Sequence, residues 1–273
     1  TMKKIFLLLS LCISFTANIK SQQKWDAPTL PAASLNAIGS SETVYLYNVD
    51  TDAFLTNGMT WNTNACATRL TNGDTKVSNT QQCNAVVSGT SVKIRLKNYS
   101  SHFISCLSAN KNDIYVDQNK NADFIYAEVE PGSNVYTLTN KTFNSALDVT
   151  WTYGGHLTII GGGGHTRWAL VPETAITSGK YIVYKAKKQL YGIYKVLYDA
   201  GKAETYASAL DEAYAEYVSA KATVATVQTA ARKLFELTYA DISTPADVSF
   251  LFNQTDMSGN ASVSSWTSGS CTY

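Results

Sequence analysis

Apolar and polar residues alternate along the first half of the chain in short runs separated by turn-forming residues. The run Val44–Thr56 alternates, turns at Asn48–Asp50 and returns, and Ser91–Leu107 does the same. A third segment, Asn134–Thr150, turns at Asn140–Asn144. A period of two is typical of half-buried β-strands, and a polar turn between two such runs predicts a hairpin.

The three segments start at similar intervals, and each is followed by two more short apolar runs. Val44, Val92 and Val135 open them, 48 and 43 residues apart. Repetition at such a period marks a repeat architecture, and three repeats of four short strands can close into a barrel capped by hairpins. The predicted third strands are Cys66–Leu70, Ile114–Val116 and Leu157–Ile160, and the predicted fourth strands are Ala85–Val87, Phe124–Ala127 and Trp168–Val171.

The third repeat carries a characteristic order of residues. A strand end Ala146–Val149, with the sequence ALDV, is followed by a loop, an apolar strand His156–Ile160 and a closing strand Arg167–Leu170 that bears a tryptophan. This order resembles one lobe of a ricin-type β-trefoil, a lectin domain. The resemblance implies a β-trefoil lectin-like domain over residues 42–174, with Trp168 in its core.

Beyond the third repeat the apolar spacing changes from two to about 3.6, which is typical of helices. Lys180–Ala200, Ala203–Ala220 and Val224–Ala240 each place apolar and tyrosine side chains on one face. Short connections between them predict an antiparallel three-helix bundle over residues 178–242. We expect a multidomain β-then-α chain, in which a β-trefoil barrel precedes helices that resemble the spacer modules of secreted bacterial surface proteins. The face predicted for the last helix consists of Val227, Ala231, Leu234 and Leu237.

The N-terminal residues have the pattern of an export signal. The basic pair Lys3 and Lys4 precedes the apolar run Ile5–Phe15, which is too short to span a bilayer. We expect residues 1–21 to be a signal peptide and the protein to be secreted or exposed at the cell surface. Residues 22–41 show little periodicity and predict a linker or a strap over the next domain.

The C-terminal residues 243–273 show strand patterns again, with a polar loop before a predicted strand at Asn260–Trp266. A segment of roughly thirty residues is too short for a separate domain. It resembles the opening strands of a jelly-roll carbohydrate-binding module, which implies a longer protein. The alternative is a short β-like tail packed on the bundle.

Composition limits the partners. The signal takes Lys3, Lys4 and Lys20 with it, which leaves 19 of the 22 basic residues against 21 acidic ones, a net charge of −2. Such a chain offers no basic surface for nucleic acid, and no later stretch is apolar enough to cross a membrane. For the cysteines the sequence leaves two alternatives: a disulfide between Cys66 and Cys83, or free buried thiols. The cysteines that remain after the signal are Cys66, Cys83, Cys106 and Cys271, at spacings that match no zinc site.

The resemblance to ricin-type lobes also implies a sugar site in the third repeat. Such a lobe binds sugar through an aspartate just after its second strand, an aromatic ring and polar side chains near the closing strand. Asp148 stands at the aspartate position, which Thr56 and Ser105 occupy in the other repeats. The alternative is that Asp148 caps a turn and Trp151 covers the barrel mouth. The predicted sugar ligands are Asp148, Trp151, Tyr153 and His165.

Three further patterns resemble functional motifs without completing them. Asp117–Glu128 has oxygen-bearing side chains at EF-hand positions, but Ala122 replaces the required glycine, so we expect a polar hairpin loop. Gly161–Gly164 lacks the lysine of a phosphate-binding loop and predicts a flexible hairpin. We expect neither a metal nor a cofactor. The three histidines lack a carboxylate or thiol that would complete a set of metal ligands. They are His102, His156 and His165.

No arrangement typical of catalysis stands out, because the chain has no Gly-x-Ser-x-Gly motif and no cysteine with an evident histidine partner. We therefore expect a secreted carbohydrate-binding module on a helical spacer, without catalysis of its own, whose partner is a glycan or polysaccharide. One alternative is a scaffold for a protein partner, which the aromatic-rich helix Tyr181–Tyr198 favours. The other is the accessory region of a longer glycan-degrading enzyme.

Overall fold

The computed structural model describes residues 24–58, 65–69, 79–108, 114–150 and 155–238. The predicted signal peptide, 1–21, and the predicted tail, 243–273, lie outside these ranges. The first part of the described chain is made of short strands. They are β1 (Val44–Asn48), β2 (Ala53–Asn57), β3 (Ala65–Arg69), β4 (Cys83–Ser88), β5 (Ser91–Leu96), β6 (Phe103–Cys106), β7 (Ile114–Gln118), β8 (Phe124–Glu128), β9 (Val135–Asn140), β10 (Ser145–Ala146), β11 (Asp148–Thr150), β12 (His156–Thr158) and β13 (Trp168–Pro172).

Six of these strands form a closed antiparallel barrel. β1 pairs with β4 and β13, β4 with β5, β5 with β8, β8 with β9, and β9 with β13, which completes the circle. The hairpins β2–β3, β6–β7 and β11–β12 belong to the first, second and third repeat. Each repeat contributes two barrel strands and one hairpin, which is the β-trefoil fold, and closure pairs both edges of every barrel strand. The predicted threefold pattern is confirmed.

The barrel strands alternate inward and outward side chains. On β5, Val92, Ile94 and Leu96 are buried in the barrel core, whereas the residues between them are only partly covered. Trp168 on β13 is also in this core, and its Nε1 donates a hydrogen bond to the carbonyl oxygen of Leu147 at 2.9 Å. Trp168 is therefore a core residue, as the ricin-type resemblance implies.

In the described residues after the barrel, the chain forms four helices: α1 (Glu173–Thr177), α2 (Lys180–Asp199), α3 (Ala207–Val218) and α4 (Val224–Thr238). The three long ones confirm the predicted helical module. None of the helices in the described part of the chain combines the length and hydropathy that a membrane span needs. The shared core of the three includes Leu190, Ile193 and Leu197 of α2, Leu210, Ala213 and Tyr217 of α3, and Val227, Ala231 and Leu234 of α4.

One position of the predicted helical face is wrong. Leu237 of α4 is 57% exposed, whereas Thr238 is fully buried. The buried stripe therefore steps by four residues from Leu234 to Thr238, since positions three and four apart both lie near one helix face. The sequence pattern favours the leucine, but the turn of the helix presents the threonine to the core.

Two cysteines in the described part of the chain carry free thiols. Cys83 and Cys106 are buried, and burial raises the pKa of each to about 12. The Cys83 thiol donates a hydrogen bond to the carbonyl oxygen of Gln81 at 3.4 Å. Of the two alternatives, free buried thiols hold for these two residues, and buried thiols of raised pKa are unreactive.

The segment before β1 crosses both halves of the molecule. The Trp25 ring stacks on Tyr194 of α2 with ring centroids 4.5 Å apart, and its backbone N–H donates to the Tyr194 hydroxyl at 3.1 Å. Further along, Ala33 pairs with Leu170 of β13, and Leu35 lies in the barrel core. These contacts pack the segment as a strap against both the helices and the barrel.

A buried aromatic cluster joins the first repeat to α2. Tyr47 and Phe54 pack against Tyr181, with ring centroids 5.8 and 5.2 Å apart respectively. Beside them, Asp52 in the turn between β1 and β2 accepts hydrogen bonds from the Tyr47 hydroxyl and from Lys185 Nζ, the latter at 2.5 Å. The first repeat therefore contacts the helices, and Ala169 and Val171 of β13 in the third repeat belong to the same buried cluster.

Candidate functional site

Asp148 is the first residue of β11, and its side chain lies inside the third repeat, 1% exposed. Its Oδ1 accepts hydrogen bonds from the backbone N–H groups of Val149 (2.8 Å) and His165 (2.8 Å). Its Oδ2 accepts from those of Gly163 (2.9 Å) and Gly164 (3.1 Å). A carboxylate offers about four lone-pair positions, so backbone donors occupy all of them.

These bonds fold the loop between β12 and β13 around the carboxylate. Gly163 passes so close that a Cβ atom there would overlap the carbonyl oxygen of Val149 and come within 2.8 Å of Asp148 Oδ1. Gly162 and Gly164 have φ values of 96° and 70°, which glycine adopts at little cost. The sequence predicts a flexible hairpin here, whereas the structure shows a loop whose glycines allow close approach and left-handed turns.

The outer side of this loop is an exposed surface of the third repeat. Ile160 is 52% exposed, and the side chain of His165 is half-buried. The carbonyl oxygen of His165 accepts a hydrogen bond from Asn48 Nδ2 at 2.8 Å. Asp50 accepts two hydrogen bonds from Arg167, one from its backbone N–H at 2.9 Å and one from Nε at 2.6 Å. The loop, which we call the anchored loop (159–167), is therefore also tied to the β1–β2 turn of the first repeat.

Two of the four predicted sugar ligands can be placed. Asp148 is buried with its carboxylate filled, which is the geometry of the turn-capping alternative, and His165 contributes its backbone N–H to that cap. Trp151 and Tyr153 lie outside the described residues. Direct contact of these four residues with a sugar stays a prediction, and Asp148 has a structural role that such contact does not require.

The residue at the aspartate position has the same role in all three repeats. In the first repeat the Thr56 hydroxyl donates to Thr80 Oγ1 at 3.0 Å, and in the second the Ser105 hydroxyl accepts from the backbone N–H of Lys120 at 3.2 Å. All three side chains are buried, and each bonds to the segment that leads into the fourth strand of its repeat. A search for sugar-binding aspartates alone misses Thr56 and Ser105, whereas the repeat spacing is the signal that finds them.

The EF-hand-like stretch is the predicted polar hairpin loop. Asn119 Oδ1 accepts from the backbone N–H of Phe103 at 3.0 Å, and Asn121 Nδ2 donates to the carbonyl oxygen of Cys106 at 2.8 Å. The amide side chains thus hold the connection between β7 and β8. Within the ranges that the structure describes, no three histidine, cysteine or acidic side chains lie close enough together to hold a metal ion.

No protein-family model and no curated protein matches the chain. Among solved structures, the designed threefold-symmetric protein ThreeFoil is 20% identical, with a TM-score of 0.36, and the match covers 47% of this chain and 97% of that one. A Macrolepiota procera ricin B-like lectin in complex with lactose is 16% identical, with a TM-score of 0.38, over 49% of this chain and 96% of that one. A Polyporus squamosus lectin is 9% identical, with a TM-score of 0.39, over half of each chain. At such low similarity, the β-trefoil assignment rests on the strand pairing of this chain.

Proposed function

We propose that this protein is an exported glycan-binding module whose ligand surface is the outer side of the anchored loop, with the helices as its spacer. The observation that carries the proposal is Asp148, because a buried carboxylate devotes all of its acceptor capacity to shaping one surface loop. A loop held in one shape loses less conformational freedom on binding, which is what a binding surface needs. Export is inferred from the pattern of residues 1–21.

The anchored loop offers the two kinds of contact that sugar recognition uses. The exposed Ile160 side chain can cover the apolar face of a pyranose ring, and the His165 imidazole can exchange hydrogen bonds with hydroxyl groups. Trp151 and Tyr153 follow β11 in the sequence, and the proposal keeps for them the predicted role of a stacking ring. No catalytic step is proposed.

A glycan array with the chain without residues 1–21 tests this function. We expect the wild type to bind a defined group of glycans, and Ile160→Ser and His165→Ala to weaken that binding by about tenfold or more, equivalent to roughly 1.4 kcal/mol. Ser105→Ala, which alters the same anchor position in the second repeat, is the matched control and should bind like the wild type. Absence of binding by the wild type, or equal losses in all three variants, would contradict the proposal.

A second candidate function is a scaffold for a protein partner. The strap and the buried aromatic cluster around Tyr181 favour it, because they attach the helices to the barrel. A protein partner recovered equally well by the wild type and by Ile160→Ser would support that role. If the chain is the accessory region of a glycan-degrading enzyme, the array should instead show binding to long polysaccharides that depends on Ile160.

A further inference from the structure

A groove of about 500 Å³ lies on the outer wall of the barrel, between the β4–β5 turn and β8. Residues of all three repeats line it, Lys141 being the one from the third, and it shares no residue with the anchored loop. Ser91 of β5 pairs with Ile125 of β8, and Val92 pairs with Phe124. Val92 and Phe124 are fully buried, so their neighbours Ser91 and Ile125 face outwards into the groove.

One wall of the groove is held in place from below. The Tyr126 hydroxyl lies 3.0 Å from the carbonyl oxygen of Gly89 and 2.6 Å from Asn36 Oδ1 of the strap. The Tyr126 backbone N–H donates to the carbonyl oxygen of Thr90 at 3.2 Å. Across the turn, the Ser91 hydroxyl donates to the carbonyl oxygen of Ser88 at 3.0 Å. The turn therefore has a fixed shape, and hydroxyl groups of its residues line the groove.

The other wall carries charges of both signs. Lys93 Nζ lies 3.5 Å from Asp123 Oδ2 and 5.8 Å from the centre of the Phe103 ring. The backbone N–H of Lys141 donates to the carbonyl oxygen of Asp123 at 2.9 Å, and Lys141 lines the groove together with Lys93 and Asp123. In the part of the chain that the structure describes, the Lys141 ammonium has no acceptor. Two ammonium groups against one carboxylate leave the groove with one surplus positive charge.

The floor of the groove is apolar. Ile125 is 41% exposed there, which is high for a large apolar side chain on a barrel strand. The groove matches a sugar ring that carries an acid group. It offers an apolar floor, hydroxyl groups along one wall and a carboxylate beside two ammonium groups. A ring has an apolar face, hydroxyl groups take hydrogen bonds from and give them to side chains, and the acid group pairs with lysine.

We propose that this groove binds an acidic saccharide, meaning a sugar that carries a carboxylate or a sulfate ester. Lys141 and Lys93 pair with the acid group, Asp123 accepts hydrogen bonds from ring hydroxyls, and Ile125 covers the apolar face of the ring. This groove is a second site, separate from the anchored loop, and its ligand carries an acid group.

Calorimetric titration with a glucuronate-containing disaccharide tests the groove, with the carboxyl-reduced neutral disaccharide and inorganic sulfate as comparison probes. We expect the acidic disaccharide to bind about tenfold more tightly than the neutral one in low salt, and this advantage to shrink as salt rises. Lys141→Gln should abolish the advantage, whereas Lys120→Gln, which removes an exposed lysine outside the groove, should leave it unchanged. Ile125→Ser should weaken both disaccharides.

Four results would overturn the proposal: no binding of the acidic disaccharide, equal binding of both disaccharides, an advantage that survives Lys141→Gln, or sulfate alone binding as tightly as the acidic disaccharide. Ile160→Ser separates the two sites. An acidic-sugar advantage that persists in Ile160→Ser assigns it to the groove, even if the anchored loop binds nothing. An advantage lost in Ile160→Ser and kept in Lys141→Gln assigns it to the anchored loop and refutes the groove.

Discussion

The first and third repeats have the same arrangement of strands, and each has a buried polar residue at the aspartate position. Their aspartates nevertheless have different roles. In the first repeat, Asp52 in the β1–β2 turn bonds to Lys185 of α2 and so attaches the helices. In the third repeat, Asp148 turns inward and bonds to its own loop. The aspartate of one repeat bonds to the helices, while that of the other shapes an exposed loop. The threefold skeleton is therefore independent of what each repeat presents outside.

The largest expected effect separates Asp148 from its counterparts. Asp148→Ala removes the acceptor of four backbone N–H groups in a buried site, so we expect a loss of about 3 kcal/mol or more in the free energy of unfolding. Ser105→Ala and Thr56→Ala each remove fewer hydrogen bonds, and about 1 kcal/mol is expected for each. Urea unfolding of the three variants measures the difference. Equal losses would show that Asp148 has no special role among the anchors.

A second substitution tests the close approach of the anchored loop. Gly163→Ala places a methyl group against the carbonyl oxygen of Val149, and we expect it to destabilise the protein by about 2 kcal/mol. Gly192→Ala is the control, because Gly192 lies within α2 with open space around its Cβ position. That change should stabilise by up to about 1 kcal/mol, since alanine favours helix. A harmless Gly163→Ala would mean that the loop does not wrap the carboxylate.

A third substitution tests the attachment of the helices to the first repeat. Burial by itself would raise the pKa of Asp52, but the Lys185 and Lys188 charges and the hydrogen bonds from Lys185 and Tyr47 outweigh it and hold that pKa below its usual range. Lys185→Met leaves the carboxylate without its nearest ammonium group. Because the pair is partly exposed, we expect a loss of only about 1–2 kcal/mol at pH 7.

The pH dependence of that loss has a defined sign. A lowered pKa in the folded state stabilises the protein above the ordinary pKa of aspartate, and this contribution disappears as the pH falls through the folded-state value. The difference between the wild type and Lys185→Met should therefore be full at pH 7 and shrink in acid, as measured by urea unfolding at several pH values. A constant difference would mean that Lys185 acts through packing alone.

The smallest expected effect concerns His156 on β12. Burial lowers the pKa of its imidazole, so the folded state favours the neutral form. Stability from this residue is full above about pH 6.5 and is lost as the pH falls from there through the lower folded-state pKa. We expect less than about 1 kcal/mol between pH 7.5 and 5.5, absent in His156→Gln, as measured by thermal unfolding. An identical pH profile in the variant would contradict this.

Much of the fold follows from the sequence because strand and helix periodicity are local signals. The starts of the repeats and the order of their strands are predicted from alternation, and the core position of Trp168 is implied by the resemblance of the third repeat to a ricin-type lobe. Leu237 shows where this fails, because two residues near the same helix face compete for the core and only packing decides between them.

The candidate site is less predictable because its geometry depends on contacts between distant residues. Asp148 stands out in the sequence, but its four backbone donors come from a neighbouring residue and from residues 15 to 17 positions later. Asp52 and Lys185 are 133 positions apart, and no periodicity links them. Such contacts appear only when the chain is folded.

Amide hydrogen exchange of Gly163, Gly164 and His165 tests most directly the claim that Asp148 shapes the anchored loop. In the wild type, these three N–H groups should exchange slowly, because each donates to the buried carboxylate. Asp148→Asn should accelerate them by about tenfold or more, and Ser105→Ala should leave them unchanged. Exchange in the wild type at the rate of an unprotected surface loop would contradict the claim.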